Sequence, residues 1–256
     1  MPPHDESSLL FLGTAGARHM VARQLLSSGG VILSTGSTRI MIDPGPGTIV
    51  QAARHGVNLA QLDAIVLSHR HLDHSGDVNV VIEAMTSGGT HKRGLLLCPE
   101  DALESDPVVL QYVRTYLGGI RVLREGGQYS VGDVVIETPV RHVHTVETYG
   151  FNFNTPAGTL SWITDSRFFA ELSQYYRGRL LLVNVVLKES GLPIDHLSME
   201  DVERLLRAIR PERAVLTHFG MRLWQLGPAE VARMIADATG VDVIAATDGL
   251  WLSLQE

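Results

Sequence analysis

Three imidazoles and a carboxylate stand within one hexapeptide, His69-Arg70-His71-Leu72-Asp73-His74. Imidazole nitrogens and carboxylate oxygens are ligands for divalent cations. Buried without partners, the same groups would each destabilise a fold. Metal binding is the reading that reconciles so dense a cluster with a stable protein. The hexapeptide directly follows the apolar run Ala64-Ile65-Val66-Leu67, which reads as a buried strand. A strand ending there aims His69 and His71 to one side, because side chains two apart on extended chain share a face. A turn toward a helix then swings Asp73 and His74 to a second point nearby. That geometry suits two metal ions sharing one pocket.

Two ions need roughly six or seven ligands together with solvent, so the hexapeptide requires help from elsewhere. Candidates stand where later strands should hand over to loops: His142 and His144, Asp165 after residues 160–164, and His218 after residues 214–216. Loop positions on a rigid scaffold are where functional side chains concentrate. His4, His19, His55 and His91 are isolated and read first as ordinary surface histidines. Arg18 and His19 in a glycine loop, and Arg70 inside the motif, are also placed to meet phosphate oxygens. The planar fork of arginine suits that task.

The elements that must carry these side chains follow from periodicity. Short strands are expected over 9–13, 31–35, 39–43, 64–67, 95–98, 120–123, 134–139, 180–186, 214–216, 241–245 and 250–254. A hairpin is expected from 151–154 and 160–164 across Thr155-Pro156-Ala157-Gly158. Helices are expected over 48–55, 77–86, around 108–116, 198–209 and 228–238. Ser198 and Asp201 have the spacing of a capping box. Neither glycine turn, 13–16 or 45–47, forms a dinucleotide fingerprint, and there is no P-loop. Two sets of strands, each followed by helices, suggest a pair of sheets packed face to face with helices outside, while periodicity alone supports only an α/β fold in one domain. A tail over 1–8 and one domain over 9–256 are expected, since no linker divides the chain.

The 256 residues are 45% hydrophobic, enough for one sizeable core. A net charge of −7 and only two lysines, Lys92 and Lys188, leave no basic field for nucleic acid. A small anionic substrate held by a few local cations is the better expectation. One cysteine, Cys98, excludes an internal disulfide and reads as a small buried hydrophobe. No segment looks like a signal peptide or a bilayer span, so a soluble cytoplasmic protein is expected, with homo-oligomers left open.

The hexapeptide resembles H-x-H-x-D-H, the signature of the metallo-β-lactamase-fold hydrolases, and the resemblance extends over nearly the whole chain. Ile40-Met41-Ile42-Asp43-Pro44-Gly45 resembles the early strand of that family. Trp162-Ile163-Thr164-Asp165-Ser166 resembles its metal-bridging aspartate, and Thr247-Asp248-Gly249 its closing turn. Leu216-Thr217-His218-Phe219 is similar to the late histidine of the ribonuclease Z and cyclic-phosphodiesterase branch. The resemblance implies a four-layer αβ/βα sandwich with the site along one edge of both sheets. It implies that His69, His71 and a third histidine hold one metal, that Asp73, His74 and His218 hold the second, and that Asp165 bridges them. His142 and His144 both remain candidates for the third histidine. The branch's spacing to Tyr149-Gly150 favours His144 and leaves His142 behind the site or facing substrate. Asp43 and Asp248 are expected to hydrogen-bond ligand histidines.

Zinc is the first expectation for the two divalent ions, with manganese or iron as alternatives. The resemblance to the phosphodiesterase branch, and ligands drawn from His and Asp alone, point to a metal-dependent hydrolase acting on a small or cyclic phosphodiester. Asp73 and His196 are the candidate catalytic residues; His196 stands where that branch carries a histidine that assists the leaving group. Transfer RNA is not expected as a partner. Only 21 positions run from His144 to Asp165 and 30 residues lie between Asp165 and His196, without the glycine- and lysine-rich arm of ribonuclease Z. A thioesterase or lactonase of the same fold is the alternative enzyme, and a non-catalytic metal-binding module the alternative of another class.

Overall fold

Alternation along the strands decides the architecture. In the N-terminal half, Leu9, Phe11, Val31, Leu33, Ile40, Ile42 and Val66 share one buried cluster, while their neighbours Leu10, Ile32, Met41 and Ile65 share another. A strand buried on both faces reads as a continuous apolar run. The C-terminal half repeats this: Leu160, Trp162, Leu180, Leu182 and Val215 join the first cluster, and Ile163, Leu181, Val183, Ala214 and Leu216 form a third. Three apolar layers therefore separate four layers of structure.

The computed structural model describes residues 7–28, 30–104 and 106–255. Its strands are β1 (Ser8–Phe11), β2 (Val31–Thr35), β3 (Thr38–Ile42), β4 (Ala64–Val66), β5 (Arg93–Cys98), β6 (Leu117–Val122), β7 (Gly127–Val131), β8 (Val134–Thr138), β9 (Phe151–Thr155), β10 (Gly158–Ile163), β11 (Leu180–Asn184), β12 (Arg213–Thr217), β13 (Asp242–Ala245) and β14 (Trp251–Ser253). The helices are α1 (Ala17–Arg23), α2 (Thr48–Arg54), α3 (Leu72–Ser75), α4 (Val78–Met85), α5 (Gln111–Arg114), α6 (Met199–Ile209), α7 (Met221–Leu226) and α8 (Pro228–Thr239). Two seven-stranded sheets result, ordered β14-β1-β2-β3-β4-β5-β6 and β13-β12-β11-β10-β9-β8-β7. Each is mixed: β3 to β6 and β10 to β13 run parallel, and the remaining neighbours antiparallel. This is the four-layer αβ/βα sandwich expected from the sequence.

Helix α4 buries Val78, Val81, Ile82 and Met85 against the outer face of the first sheet, where Cys98 is also buried. Helix α6 does the same for the second with Val202, Leu205 and Leu206. Its start is the expected capping box: Ser198 accepts from the Asp201 amide and the Asp201 carboxylate accepts from the Ser198 amide.

Several expectations need correction. The tail expected over 1–8 is too long at its end, because Ser7 is buried and Ser8 opens β1 opposite Ser253 and Ser34; residues 1–6 lie outside the described ones. Strand β4 stops at Val66 rather than Leu67, so His69 and His71 sit in a loop and not on extended strand. Helix α5 covers four residues of the longer stretch expected. Strand β7 and helices α1, α3 and α7 lie outside the expected elements; each is short, opening on glycine (Gly127 of β7), bordered by it (Gly16, Gly220 and Gly227) or falling within the metal motif. Among the described residues, no helix is long and apolar enough to cross a membrane.

Leu182 is fully buried between the sheets. Leu182→Ala should cost about 2–5 kcal/mol, read as a lower urea midpoint at unchanged slope. An unchanged midpoint would show that the inter-sheet layer is not the stabilising core.

Candidate metal centre

In parallel sheets, the loops at the carboxyl ends of strands meet along one edge. Strands β1 and β8 each lie two antiparallel steps from β3 and β10, so they share that direction. One edge therefore receives Thr14–Gly16 after β1, Asp43 after β3, the hexapeptide after β4, His142 and His144 after β8, Asp165 after β10, Asn184 ending β11, and His218 after β12. Both sheets deliver residues to the same cleft.

The cleft holds two groups of donor atoms: His69, His71 and His144, and beside them Asp73, His74, Asp165 and His218. In the first, the His71 Nδ1 lies 3.1 Å from His69 Nε2 and 3.2 Å from His144 Nε2. Ligands about 2.0–2.1 Å from a tetrahedral metal stand roughly 3.3 Å apart, close to this spacing. The hydrogen bonds on the far sides fix which nitrogens face inward. The Asp195 carbonyl can only accept, so His144 Nδ1 donates to it at 2.8 Å and leaves Nε2 bare. Ser68 Oγ donates to Asp43 at 2.6 Å, so it accepts from His69 Nδ1 at 2.9 Å, and His69 Nε2 is bare as well. Burial, reinforced by the neighbouring His74, holds His69 well below the usual imidazole range. Burial and His144 lower His71 to about 4. Neutral imidazoles with inward lone pairs are the form that binds a cation.

The second group is more strongly charged. His74 Nε2 lies 3.2 Å from Asp165 Oδ2 and 3.7 Å from Asp73 Oδ2; His218 reaches Asp73 at 3.6 Å and Asp165 at 3.3 Å. Burial disfavours charge on His74, yet Asp165, Asp73 and Asp43 together raise it well above the ordinary histidine range. Burial likewise opposes charge on Asp165, but His218, His196 and His74 overcome it and hold this carboxyl well below the usual range. The environment demands positive charge at this point. His74 Nε2, Asp165 Oδ2 and both His218 ring nitrogens are buried and lack hydrogen-bond partners. Buried polar atoms rarely go unpaired, and a donor set of this kind fits a divalent cation.

Outer contacts hold the donors in place. Asp43 Oδ2 accepts from His74 Nδ1 at 2.9 Å, which is its expected role. Asn184, unassigned from sequence, donates to Asp165 Oδ1 at 2.8 Å and accepts from Trp162 Nε1 at 2.9 Å, so a buried indole orients the amide and the amide orients the carboxylate. His142 stands behind the cleft, 2.6 Å from Tyr176 Oη and 3.2 Å from the Asp165 carbonyl; burial lowers it to about 4. Gly150 admits this pair, since a Cβ there would stand 2.2 Å from Tyr176 Oη and 2.7 Å from the His142 ring. Gly16 packs against His218 in the same way: a Cβ would lie 2.1 Å from its carbonyl oxygen and 2.5 Å from Nδ1. His218 itself adopts φ 61°, in the left-handed region.

His196 joins the rim, its Nδ1 3.6 Å from Asp165 Oδ2. Burial lowers its pKa, although Asp165 pulls the other way. Arg18 and His19 line a cavity of about 590 Å³ that opens from the cleft. Two expectations fail. Among the described residues, Asp248 bonds no candidate ligand histidine: it accepts from the Thr14 amide, the Thr14 hydroxyl and the Ser27 amide, and so ties together the loops before and after α1. Arg70 turns away to Asp106 at 3.1 Å and the Asp101 carbonyl at 3.4 Å, because the loop after β4 sends alternate side chains to opposite sides.

Residues 38–219 match the model of the beta-lactamase superfamily domain, and the chain belongs to that family. It is 31% identical over 254 residues to the protein MJ1374 of Methanocaldococcus jannaschii, spanning 96% of this chain and 94% of that one. It is 26% identical to ribonuclease Z of Methanopyrus kandleri over 94% of this chain and 86% of the enzyme. The crystal structure of the metallo-beta-lactamase fold protein YhfI from Bacillus subtilis superposes with a TM-score of 0.78 at 17% identity, covering 97% and 99% of the two chains.

Asn184→Ala frees the Asp165 carboxylate and should weaken metal binding about 10–100-fold, measured by competition with a chromophoric chelator. Unchanged affinity would mean that the carboxylate needs no such support. Gly16→Ala should displace His218 and lower the metal content of the purified, folded protein. Full content in that variant would contradict the close packing of these two residues.

Proposed function

We propose that the protein is a dinuclear metal-dependent hydrolase of phosphodiesters. The observation that carries the proposal is the pair of adjacent donor groups with Asp165 between them. Asp165 Oδ2 stands 3.8 Å from His69 Nε2 and 3.2 Å from His74 Nε2, so one carboxylate is placed to serve both. His69, His71 and His144 would hold one divalent ion, zinc by first expectation, and Asp73, His74 and His218 the other. When bound, such a pair supplies a nucleophilic water near neutral pH and stabilises the charge that develops on the attacked centre.

The remaining steps belong to the chain's own side chains. Arg18 and Arg222 face the cleft's cavity without an ion pair or hydrogen bond among the described residues, and suit the non-bridging oxygens of an anionic diester. Water oxygen bonds to phosphorus, the ester P–O bond breaks, and the departing oxygen takes up a proton. His196 is placed to give that proton. Burial weakens its hold on one, which makes its protonated form a ready donor. The products are a phosphomonoester and an alcohol. The likeness to ribonuclease Z, named for cleaving a phosphodiester polymer, supports phosphorus over an acyl carbon as the attacked centre.

Purified protein loaded with zinc or manganese should turn over bis-p-nitrophenyl phosphate, and a chelator should abolish this. Asp73→Ala should lose both metal and turnover. His196→Ala should keep its metal but lose about 10²–10⁴-fold in kcat, with the larger loss on substrates with poorer leaving groups. Hydrolysis of thioesters or lactones without any hydrolysis of phosphodiesters would overturn the proposal.

A further inference from the structure

The cleft opens into two cavities. One, of about 590 Å³, is bounded by His71, Asp73, His144, Asp165 and His196; the aliphatic Leu187, Leu192, Ile194 and Met221 line it together with the charged Lys188 and Glu189. Among the described residues, no phenyl, phenol or indole ring lines it. The other, of about 780 Å³, shares Arg18, His71 and Asp73 with the first and is lined by Arg70, Asn79 and Asp106 as well as Val21, Leu72 and Val108. The two meet at the donor atoms, as the two substituents of a diester meet at phosphorus. A cyclic phosphate alone would leave both largely unfilled.

The aliphatic wall is built from a segment with no evident structural reason to be apolar. Between β11 and α6 the chain runs Gly191-Leu192-Pro193-Ile194 and then His196. Leu192 and Ile194 remain 46% and 45% exposed, and Val143, between the two histidines after β8, is 42% exposed. None of the three belongs to a buried cluster. The segment is tied in place by its own backbone, with the Ile194 amide bonded to the Leu192 carbonyl and the His196 amide to the Ile194 carbonyl. It thus presents two aliphatic side chains beside a candidate proton donor, with Arg18 and Arg222, unpaired among the described residues, on the same cavity.

Building on the phosphodiesterase reading, we propose that the substrate is a phosphodiester with one extended aliphatic arm, seated against Leu192, Ile194 and Met221. Its second substituent occupies the cavity on the Arg70 side. Base recognition relies on aromatic or guanidinium stacking and on polar groups aimed at base edges. Here Arg18 and Arg222 serve the phosphate oxygens, Arg167 is held by Asp195, and the exposed side chains next to His196 in the chain, Leu192 and Ile194, are aliphatic. Each methylene moved from water onto such a wall is worth about fourfold in binding.

The test is a series of alkyl p-nitrophenyl phosphates, from methyl through butyl to octyl, kept below the micellar range, with thymidine 5′-p-nitrophenyl phosphate alongside. kcat/KM should rise at least tenfold from methyl to octyl, chiefly through KM. The octyl ester should also exceed the thymidine ester. In the Leu192→Ser, Ile194→Ser double variant the octyl-to-methyl ratio should fall severalfold, the changed side chains being exposed and outside the core. A flat wild-type series, a ratio unaltered by the double substitution, or a preference for the thymidine ester would overturn the aliphatic arm and leave the phosphodiesterase reading standing. Failure to hydrolyse every diester, methyl included, would overturn both.

Discussion

A carboxylate charge buried at the junction of two sheets is the constraint around which this molecule is arranged. Asp165 is 2% exposed, and transferring such a charge from water costs several kcal/mol unless positive charge or hydrogen-bond donors compensate it. Here one oxygen receives the Asn184 amide, while the other has no hydrogen-bond partner and faces His69, His74 and His196. The side chains alone can compensate it only through protonated imidazoles such as His74, whose lone pairs are then lost to a cation. A divalent cation held by this donor set would satisfy the carboxylate and the imidazoles together, and would couple the centre to the fold around it.

Convergence on this carboxylate explains features of the backbone that local preferences would not select. His218 and Asp43 both sit in the left-handed region, at φ 61° and 50°. Such conformations cost of order 1–3 kcal/mol each for residues with a side chain. Each turns the chain sharply just past a strand end, where a side chain must face back into the cleft. The compensation comes from long-range contacts: the Gly16 amide bonds the Phe219 carbonyl at 3.1 Å, and the Phe219 amide bonds the Thr14 carbonyl at 2.9 Å. These two bonds lock the loop after β1 to the loop after β12, so the two sheets are pinned to each other beside the metal donors.

Much of this was legible in the sequence because two independent signals agreed. Short apolar runs between turn residues located thirteen of the strands, and the density of His and Asp in residues 69–74 located the chemistry. Ser198 with Asp201 announced its helix through a local hydrogen-bond pattern that depends on no distant residue. What escaped depends on long-range packing. Asn184 gave no local signal, since its importance lies in a Trp162 side chain 22 positions earlier. His142 and His144 are separated by where the chain bends after β8, which places one against Tyr176 and the other against His71. Asp248 and Arg70 carried the right chemistry at plausible positions, and only the turn geometry aims them at Thr14 and Asp106. The edge strand β7, Gly127-Gln128-Tyr129-Ser130-Val131, alternates but buries only Val131 fully and opens on glycine, so its apolar signal is short.

The coupling of metal to carboxylate is tested by metal stoichiometry combined with anomalous diffraction on the wild-type protein. Two ions per chain should appear about 3.5–4 Å apart, with Asp165 between them and His69 and His74 on opposite sides. A single ion at full occupancy, or ions that bypass Asp165, would contradict this arrangement.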